Sequence, residues 1–163
     1  MLINIPHIQQ NLELRKSLIL GSFKSKKKQY VANLIFNENN QILLLKRSSL
    51  DSFHPSTYCL PSGSIEPNES IIDAFIRETN EECNLIYKED YTTFNLSKIS
   101  ENDCDIYYGI SQLTSDAFIV IDESEHQNYI WCDIDDLEQY DLILDLLSHI
   151  KMLLQHHVIR FSK

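Results

Sequence analysis

The stretch over residues 63–85 reads GSIEPNESIIDAFIRETNEECNL and carries the clearest structural signal in the chain. A helix is predicted in its second half, because Ser70 can act as an N-cap and Asp73 follows three residues later, the spacing of a capping box. The helix is expected to run to about Cys83. Asn84 can end it, since asparagine tolerates the left-handed conformation in which helices often terminate.

This predicted helix has two chemically different sides. At about 100° per residue, one stripe of side chains is expected to face the core: Ile72, Phe75, Ile76, Thr79 and Cys83. Three carboxylates, those of Glu78, Glu81 and Glu82, cluster on the opposite side, and like charges at this spacing destabilise a helix. Mg²⁺ or Mn²⁺ would compensate them, because these ions prefer oxygen ligands. The alternative interpretation is a solvated acidic surface.

The same stretch resembles the signature of the Nudix hydrolases, G-x5-E-x7-R-E-U-x-E-E-x-G-U, in which U is an apolar residue. The matching positions are Gly63, Glu69, Arg77, Glu78, Glu81, Glu82 and Leu85. The preceding residues, YCLPSG over 58–63, resemble the W-x-L-P-G-G sequence that leads into this signature.

Three positions depart from the family pattern. Thr79 stands at an apolar position, Asn84 at the second glycine, and Ser62 at the first glycine of the usual pair. The Thr79 hydroxyl can bond back to a helical carbonyl, and Asn84 can form the left-handed cap. None of the three changes removes a carboxylate.

The resemblance implies a role for each matching residue. Glu78, Glu81, Glu82 and the Gly63 carbonyl would hold one or more divalent ions, Mg²⁺ or Mn²⁺. Glu69 and Arg77 would form an ion pair that fixes the loop against the helix, although Arg77 could also be a plain surface arginine.

A general base is often supplied in this family by a glutamate of the helix or of a loop near the end of the sheet. Glu78 and Glu81 are the helix candidates. In the segment over 122–131, Glu125 and His126 resemble the start of the family's E-H-x-x-Y-x-W pattern, so Glu125 is preferred to Glu123. The alternative is an acidic loop, and His126 could contact the substrate or only cap a strand.

Basic and aromatic side chains near the loop are candidates for substrate binding. Lys46 and Arg47 end a predicted strand, where family members often place a basic residue on the substrate phosphates; solubilising charges are the alternative. Arginine suits bidentate contact with phosphate. Two interpretations stay open for the aromatic residues Phe53, Tyr58 and Trp131: each could stack on a base of the substrate or pack in the core.

The rest of the chain predicts an α/β protein. Strands are expected at residues 30–36, 41–47, 91–98, 104–111, 118–121 and 127–133, with the first two forming a hairpin covered on both faces. A final helical stretch starts at Asp135 or Asp136 and carries leucines at helical spacing. The resemblance implies the Nudix α/β/α sandwich, with a mixed, curved sheet between the helices.

We expect one Nudix domain over residues 1–163. Residues 1–29 form an extension of uncertain structure, with a short helix around residues 9–20. Its lysines, at 24 and 26–28, are interpreted as a solvated loop, with a phosphate-binding or partner patch as the alternative.

Charge and cysteine usage exclude several classes of protein. The chain has 14 Lys and Arg against 24 Asp and Glu, a net charge of −10, which disfavours broad nucleic-acid binding. Its four cysteines are widely spaced, unlike those of zinc sites or redox motifs. With no secretory signal or membrane span, we expect reduced thiols, a cytoplasmic location and a monomer or homodimer.

The expected activity is hydrolysis of the diphosphate linkage in a nucleoside diphosphate joined to a group X. Nucleoside triphosphates, including oxidised ones, are the preferred substrates; sugar nucleotides, ADP-ribose and dinucleoside polyphosphates are alternatives. The competing hypothesis is a catalytically silent Nudix module that binds a nucleotide or a partner.

Overall fold

The computed structural model describes residues 27–86, 91–114 and 117–156. Its elements are β1 (Lys28–Phe36), β2 (Ile42–Arg47), β3 (Tyr58–Cys59), β4 (Ser62–Ser64), α1 (Ile71–Cys83), β5 (Tyr91–Ser100), β6 (Cys104–Leu113), β7 (His126–Cys132), a 3₁₀ helix (Ile134–Gln139) and α2 (Leu146–His156). The helix predicted around residues 9–20, and the lysines at 24 and 26, lie outside the described residues.

The seven strands form one mixed sheet. The main order is β3-β2-β1-β6-β5, with β4 paired to β1 and β7 paired to β2. β1 and β6 are parallel, and the other pairs are antiparallel. The predicted α/β class and mixed sheet are thereby confirmed.

The predicted hairpin of β1 and β2 is correct only at its turn. The two strands pair at Phe36 and Ile42 and then diverge. Residues 58–64 enter the gap, where β3 pairs with β2 and β4 pairs with β1. Between them, the Pro61 carbonyl accepts a 2.8 Å hydrogen bond from the Asn33 amide. This insertion supplies the backbone partners that the diverging strands need, and it places Gly63 in the fork.

Helices cover both faces of the sheet, as the continuous apolar runs of β1 and β2 predicted. One layer joins alternate residues of these strands to α2, and its buried members include Ala32, Leu34, Phe36, Ile42, Leu44, Leu146, Ile150 and Leu153. On the other face, Ile35, Leu43 and Leu45 pack with Cys83 and Leu85, and Val31 packs with Ala74 and Phe75 of α1. All six residues from Val31 to Phe36 are buried.

The prediction of a strand over residues 118–121 is wrong. The Val120 amide donates to the carbonyl of Cys83, at 3.1 Å, and the Asp122 amide donates to that of Glu82, at 3.2 Å. Carbonyls in the last turn of a helix have no partner within the helix. This segment satisfies two of them, so it wraps the end of α1 and does not join the sheet.

The predicted final helix is interrupted. The 3₁₀ helix ends at Gln139, and α2 begins only at Leu146. Between them the chain bonds to β3: the Tyr58 amide donates to the Asp141 carbonyl, and the Ile143 amide donates to the Tyr58 carbonyl. These backbone groups are therefore used by the sheet. Among the described residues, no helix is long and apolar enough to cross a membrane.

Candidate active site

The helix α1 has the boundaries that its capping residues predicted. The Ser70 hydroxyl oxygen accepts a 3.1 Å hydrogen bond from the Asp73 amide, and the Ser70 hydroxyl donates to the Asp73 carboxylate. At the other end Asn84 is left-handed, with φ 55°, and its amide donates to the Asn80 carbonyl at 2.8 Å. The helix is thus fixed at both ends, which orients its acidic side chains.

Gly63 leaves space for the carboxylate of Glu78. A Cβ atom at position 63 would lie 2.0 Å from Glu78 Oε1, far inside van der Waals contact. A side chain at position 63 would therefore displace the Glu78 carboxylate, and its absence brings the β4 backbone against the acidic side of α1. Burial raises the pKa of the Glu78 carboxyl above its ordinary value, with neighbouring Arg77 acting in the opposite direction.

Arg77 contacts three of the motif carboxylates. Its guanidinium donates to both oxygens of Glu69, at 2.8 and 2.9 Å, and to the Ser64 carbonyl at 3.1 Å. Its Nη1 also donates to Glu78 at 2.7 Å and to Glu81 at 3.2 Å. The hydrogen bonds from Arg77 to Glu69 lower the pKa of the Glu69 carboxyl. We did not predict from the sequence that Arg77 offsets the negative charge on the acidic side of α1. Its i, i+4 spacing to Glu81 could have indicated this contact.

Glu82 lies inside the protein, although the helix pattern placed it with Glu81 on the side opposite the core stripe. The Glu82 side chain is 8% exposed, whereas the Glu81 side chain is 58% exposed. The segment that wraps the end of α1 passes over Glu82, because the Asp122 amide binds the Glu82 carbonyl. Burial raises the pKa of the Glu82 carboxyl, while His126 and the amide of Ser62 act in the opposite direction.

The Ser62 backbone binds Glu82. The Ser62 amide donates a 2.8 Å hydrogen bond to Glu82 Oε2. Because the donor belongs to the backbone, the replacement of the family glycine by serine leaves this contact intact. Sequence reasoning missed the contact, since it joins residues 20 positions apart.

The structure brings Glu125 and His126 to the same carboxylate. His126 is 2% exposed, and its Nε2 lies 3.3 Å from Glu82 Oε1. One ligand atom each from Glu82, Glu125 and His126 lie within 4.8 Å of one another. Glu125 is exposed, and its carbonyl accepts a 2.7 Å hydrogen bond from the Ser48 amide. The loop after β2 is thereby tied to the segment that carries Glu125.

Lys46 and Arg47 point to opposite faces of the sheet. Lys46 Nζ lies 5.7 Å from the ring centre of Tyr58, which packs in the layer that contains α2. Arg47 lies two residues after Leu45, which packs on the face of α1, and pairs with Asp51. It lies opposite His126 in β7, where the register shifts between Lys46 and Arg47. Of the two predicted phosphate-binding residues, only Arg47 therefore lies on the side of the acidic residues.

The three aromatic candidates differ in exposure. Tyr58 and Trp131 pack against the two core layers. Phe53 is 83% exposed, in the loop that follows Arg47. Its amide donates a 2.8 Å hydrogen bond to Asp51, which orders the backbone beneath the exposed ring.

The chemistry of the donors on this side of α1 suits a divalent cation. Glu78, Glu81 and Glu82 supply carboxylate oxygens, and the missing Cβ of Gly63 opens the space in which the Glu78 carboxylate lies. Hard oxygen ligands with a net negative charge are what Mg²⁺ and Mn²⁺ select. Two of these carboxylates have a pKa raised by burial, so added positive charge would stabilise their ionised forms.

A sequence profile of the NUDIX domain matches residues 26–153. The chain belongs to the Nudix family. This match includes the whole signature and all of the described sheet. No curated protein matches the chain.

Solved structures share the Nudix fold at low sequence identity. The MutT protein of Methanosarcina mazei is 20% identical, with a TM-score of 0.64 over 83% of this chain and 98% of that chain. An Ap4A hydrolase of C. elegans is 24% identical, with a TM-score of 0.63 over 78% and 96%. A bifunctional NMN adenylyltransferase/ADP ribose pyrophosphatase of Francisella tularensis is 20% identical, with a TM-score of 0.64 over 91% of this chain and 46% of that chain. At these identities the likeness shows the fold.

Proposed function

We propose that this Nudix chain is a divalent-metal-dependent pyrophosphohydrolase that acts on a nucleoside diphosphate linked to a group X. The preferred substrate is a nucleoside triphosphate, including oxidised forms. The observation that carries the proposal is that two signature glutamates contact the backbone at residues 62 and 63: the Glu78 carboxylate occupies the space that the absent side chain of Gly63 leaves, and Glu82 accepts a hydrogen bond from the Ser62 amide.

The chain's own residues would hold the ions. Glu78, Glu81, Glu82 and the Gly63 carbonyl are the proposed ligands. Bound Mg²⁺ or Mn²⁺ would neutralise phosphate charge and lower the pKa of a water that attacks phosphorus. A mediating cation is needed because the chain has a net charge of −10 and its substrate is an anion. Glu69 acts indirectly, by orienting Arg77 through two hydrogen bonds.

Two exposed carboxylates, Glu81 and Glu125, are the candidates for the general base. Each can meet solvent, as a group that accepts a proton from the attacking water must. Glu82 is buried and bound by the Ser62 amide, which suits a ligand and disfavours a base. Arg47 is the proposed contact for a substrate phosphate, because a guanidinium can bind two phosphate oxygens at once. The same role for Lys46 stays a prediction, and its place above Tyr58 favours packing.

The substrate class is proposed from the structural neighbours of the chain. The neighbours include a MutT protein and an Ap4A hydrolase, so triphosphates and dinucleoside polyphosphates both belong in a test. ADP-ribose and sugar nucleotides complete the panel. The alternative function, a silent nucleotide-binding module, is disfavoured because all four signature glutamates are present.

The test is the release of phosphate or pyrophosphate from this panel with Mg²⁺ or Mn²⁺. Glu81→Gln is the best variant for the comparison, because its side chain is exposed and the fold should not depend on it. Glu138→Gln removes an exposed carboxylate that pairs with Lys151, in the 3₁₀ helix, and serves as the matched control.

We expect turnover that requires the metal, falls by orders of magnitude in Glu81→Gln and is unchanged in Glu138→Gln. Nucleotide binding without turnover in the wild type would replace the hydrolase by the silent module. Turnover that survives both Glu81→Gln and removal of metal by a chelator would refute the proposed mechanism.

A further inference from the structure

We propose that Glu82, Glu125 and His126 form a metal position with one nitrogen ligand, which prefers Mn²⁺ or Co²⁺ to Mg²⁺. The inference deepens the proposed function, because this position lies beside the all-oxygen set of Gly63, Glu78 and Glu81. It concerns binding, however, and can be tested without turnover.

The geometry of the three side chains fits one ion. Their ligand atoms lie within 4.8 Å of one another. Two ligands on opposite sides of one ion are this far apart when each bond is somewhat longer than about 2 Å. Glu82 Oε1 and His126 Nε2 are 3.3 Å apart. Neighbouring ligands of an octahedral ion with bonds of about 2.1 Å are separated by about 3 Å, so these two atoms are spaced as adjacent ligands.

The imidazole of His126 lacks the partners that a buried polar ring needs. It is 2% exposed, and neither Nδ1 nor Nε2 has a hydrogen-bond partner. Buried polar groups are nearly always satisfied, because burial removes their hydrogen bonds to water. Nε2 lies 3.3 Å from Glu82 Oε1, the distance of an ion pair, whereas Nδ1 has no polar partner. A metal bound to both groups would satisfy the nitrogen and the carboxylate oxygen together.

The backbone holds these groups in place before any ion binds. Glu82 Oε2 is bound by the Ser62 amide, which leaves Oε1 directed at the imidazole. The Asp122 amide binds the Glu82 carbonyl, and the Asp122 carbonyl accepts from the amides of Glu125 and His126. One short segment therefore connects all three proposed ligands, and binding requires little reorganisation.

The nitrogen ligand determines the expected metal preference. Mg²⁺ favours a shell of oxygen atoms, whereas imidazole suits first-row transition metals. The ligands at Gly63, Glu78 and Glu81 are all oxygen, so the cleft offers two positions with different selectivity.

The decisive experiment is pulsed electron paramagnetic resonance of the full chain loaded with Mn²⁺ alone. Nitrogen hyperfine modulation reports directly bound imidazole. We expect it in the wild type, and we expect its loss in His126→Gln. His54→Gln is the matched control, because His54 is exposed in the loop after β2, and this variant should retain the signal.

A competition measurement tests the preference separately. Isothermal titration with Mn²⁺ and with Mg²⁺ should show a Mn²⁺ affinity that falls at least about tenfold in His126→Gln, with Mg²⁺ affinity little changed. The thermal transition of the metal-free variant shows whether it folds; if it does not, the wild-type spectrum decides.

Bound Mn²⁺ without nitrogen modulation in the wild type would overturn the inference. Modulation that persists in folded His126→Gln would do the same. The outcomes also separate the two proposals: hydrolysis without nitrogen coupling leaves only the proposed function, and nitrogen coupling without hydrolysis leaves only the metal position.

Discussion

Arg77 binds both carboxylate oxygens of Glu69, eight residues earlier in the chain, through hydrogen bonds of 2.8 and 2.9 Å. The same guanidinium reaches Glu78 and Glu81 through Nη1. One cation therefore fixes the loop before α1 and also offsets two of the three negative charges on the acidic side of the helix. Lysine could not replace it, because an ammonium group has no planar fork of donors.

Replacing Arg77 by lysine is expected to destabilise the protein. The change keeps the charge but removes the paired hydrogen bonds to Glu69, and a hydrogen bond to a charged group contributes a net of about 1.5–3 kcal/mol to stability. We expect the free energy of unfolding to fall by about 1–3 kcal/mol in urea titrations without divalent ions. Lys151→Ala, which removes an exposed ion pair with Glu138, should cost less than about 1 kcal/mol. Equal losses in the two variants would contradict the assigned role of Arg77.

Two substitutions of Glu82 should separate its charge from its packing. Glu82→Gln keeps an oxygen acceptor for the Ser62 amide and removes a buried charge, so stability should change little while kcat falls by orders of magnitude. Glu82→Ala leaves the Ser62 amide without its partner and should also lower the free energy of unfolding by about 1–3 kcal/mol. Thermal denaturation and steady-state kinetics of both variants make the comparison. If Glu82→Gln unfolds under conditions where the wild type is stable, the prediction that the fold does not need the Glu82 charge is refuted.

The left-handed conformation of Asn84 predicts opposite outcomes for two small residues. Alanine at φ 55° is strained by about 1–2 kcal/mol, whereas glycine is not. Asn84→Ala should therefore lower the midpoint of urea unfolding, and Asn84→Gly should leave it unchanged or raise it. A destabilisation by glycine as large as that by alanine would show that the Asn84 side chain, and not its backbone conformation, matters.

Asp51 provides a pH-dependent contribution to stability. Hydrogen bonds from the amides of His54 and Phe53, and then the Arg47 guanidinium, lower the pKa of the Asp51 carboxyl to about 2. A carboxyl with a lowered folded-state pKa stabilises the fold above its unfolded pKa, near 4. That contribution is lost as the pH falls towards 2. The stability difference between wild type and Asp51→Asn, measured by urea unfolding, should thus be constant from pH 7 to about 4.5 and should narrow below it. If the stability difference between the two proteins stays constant down to pH 2.5, the ionisation of Asp51 is not its cause.

Buried hydrogen bonds link Thr79 of α1 to Asn33 and Ser111 of the sheet. We expect their contribution to the free energy of unfolding to depend on the Thr79 hydroxyl. Asn33 Nδ2 donates to Thr79 Oγ1 at 3.4 Å, and the Ser111 hydroxyl donates to Asn33 Oδ1 at 3.0 Å. Thr79→Val preserves the shape but leaves the Asn33 donor unsatisfied, so we expect a loss of about 1–2 kcal/mol in chemical denaturation. Thr79→Ser keeps the hydroxyl and is the control. A smaller loss in Thr79→Val than in Thr79→Ser would show that the methyl group, and not the hydrogen bond, matters.

Local sequence signals were sufficient for α1 and for most of the strands. Ser70 and Asn84 mark the ends of the helix by their own hydrogen bonds and backbone preferences, which depend on near neighbours. The strand expected at residues 118–121 and the uninterrupted final helix were wrong because distant partners decide them. Val120 binds the carbonyl of Cys83, and Ile143 binds that of Tyr58. Apolar periodicity carries no information about such contacts.

The sequence by itself determined the family, the acidic helix and the set of glutamates, because the signature depends on residue types at short, fixed spacing. Only the tertiary structure decided what surrounds each glutamate. It buried Glu82 between the Ser62 amide and His126, left Glu81 in solvent, and placed Arg47 and Lys46 on different faces of the sheet. These differences arise from the fork between β1 and β2 and from the segment that wraps α1. Both join residues far apart in the chain, and their backbone hydrogen bonds form only when the whole sheet is assembled.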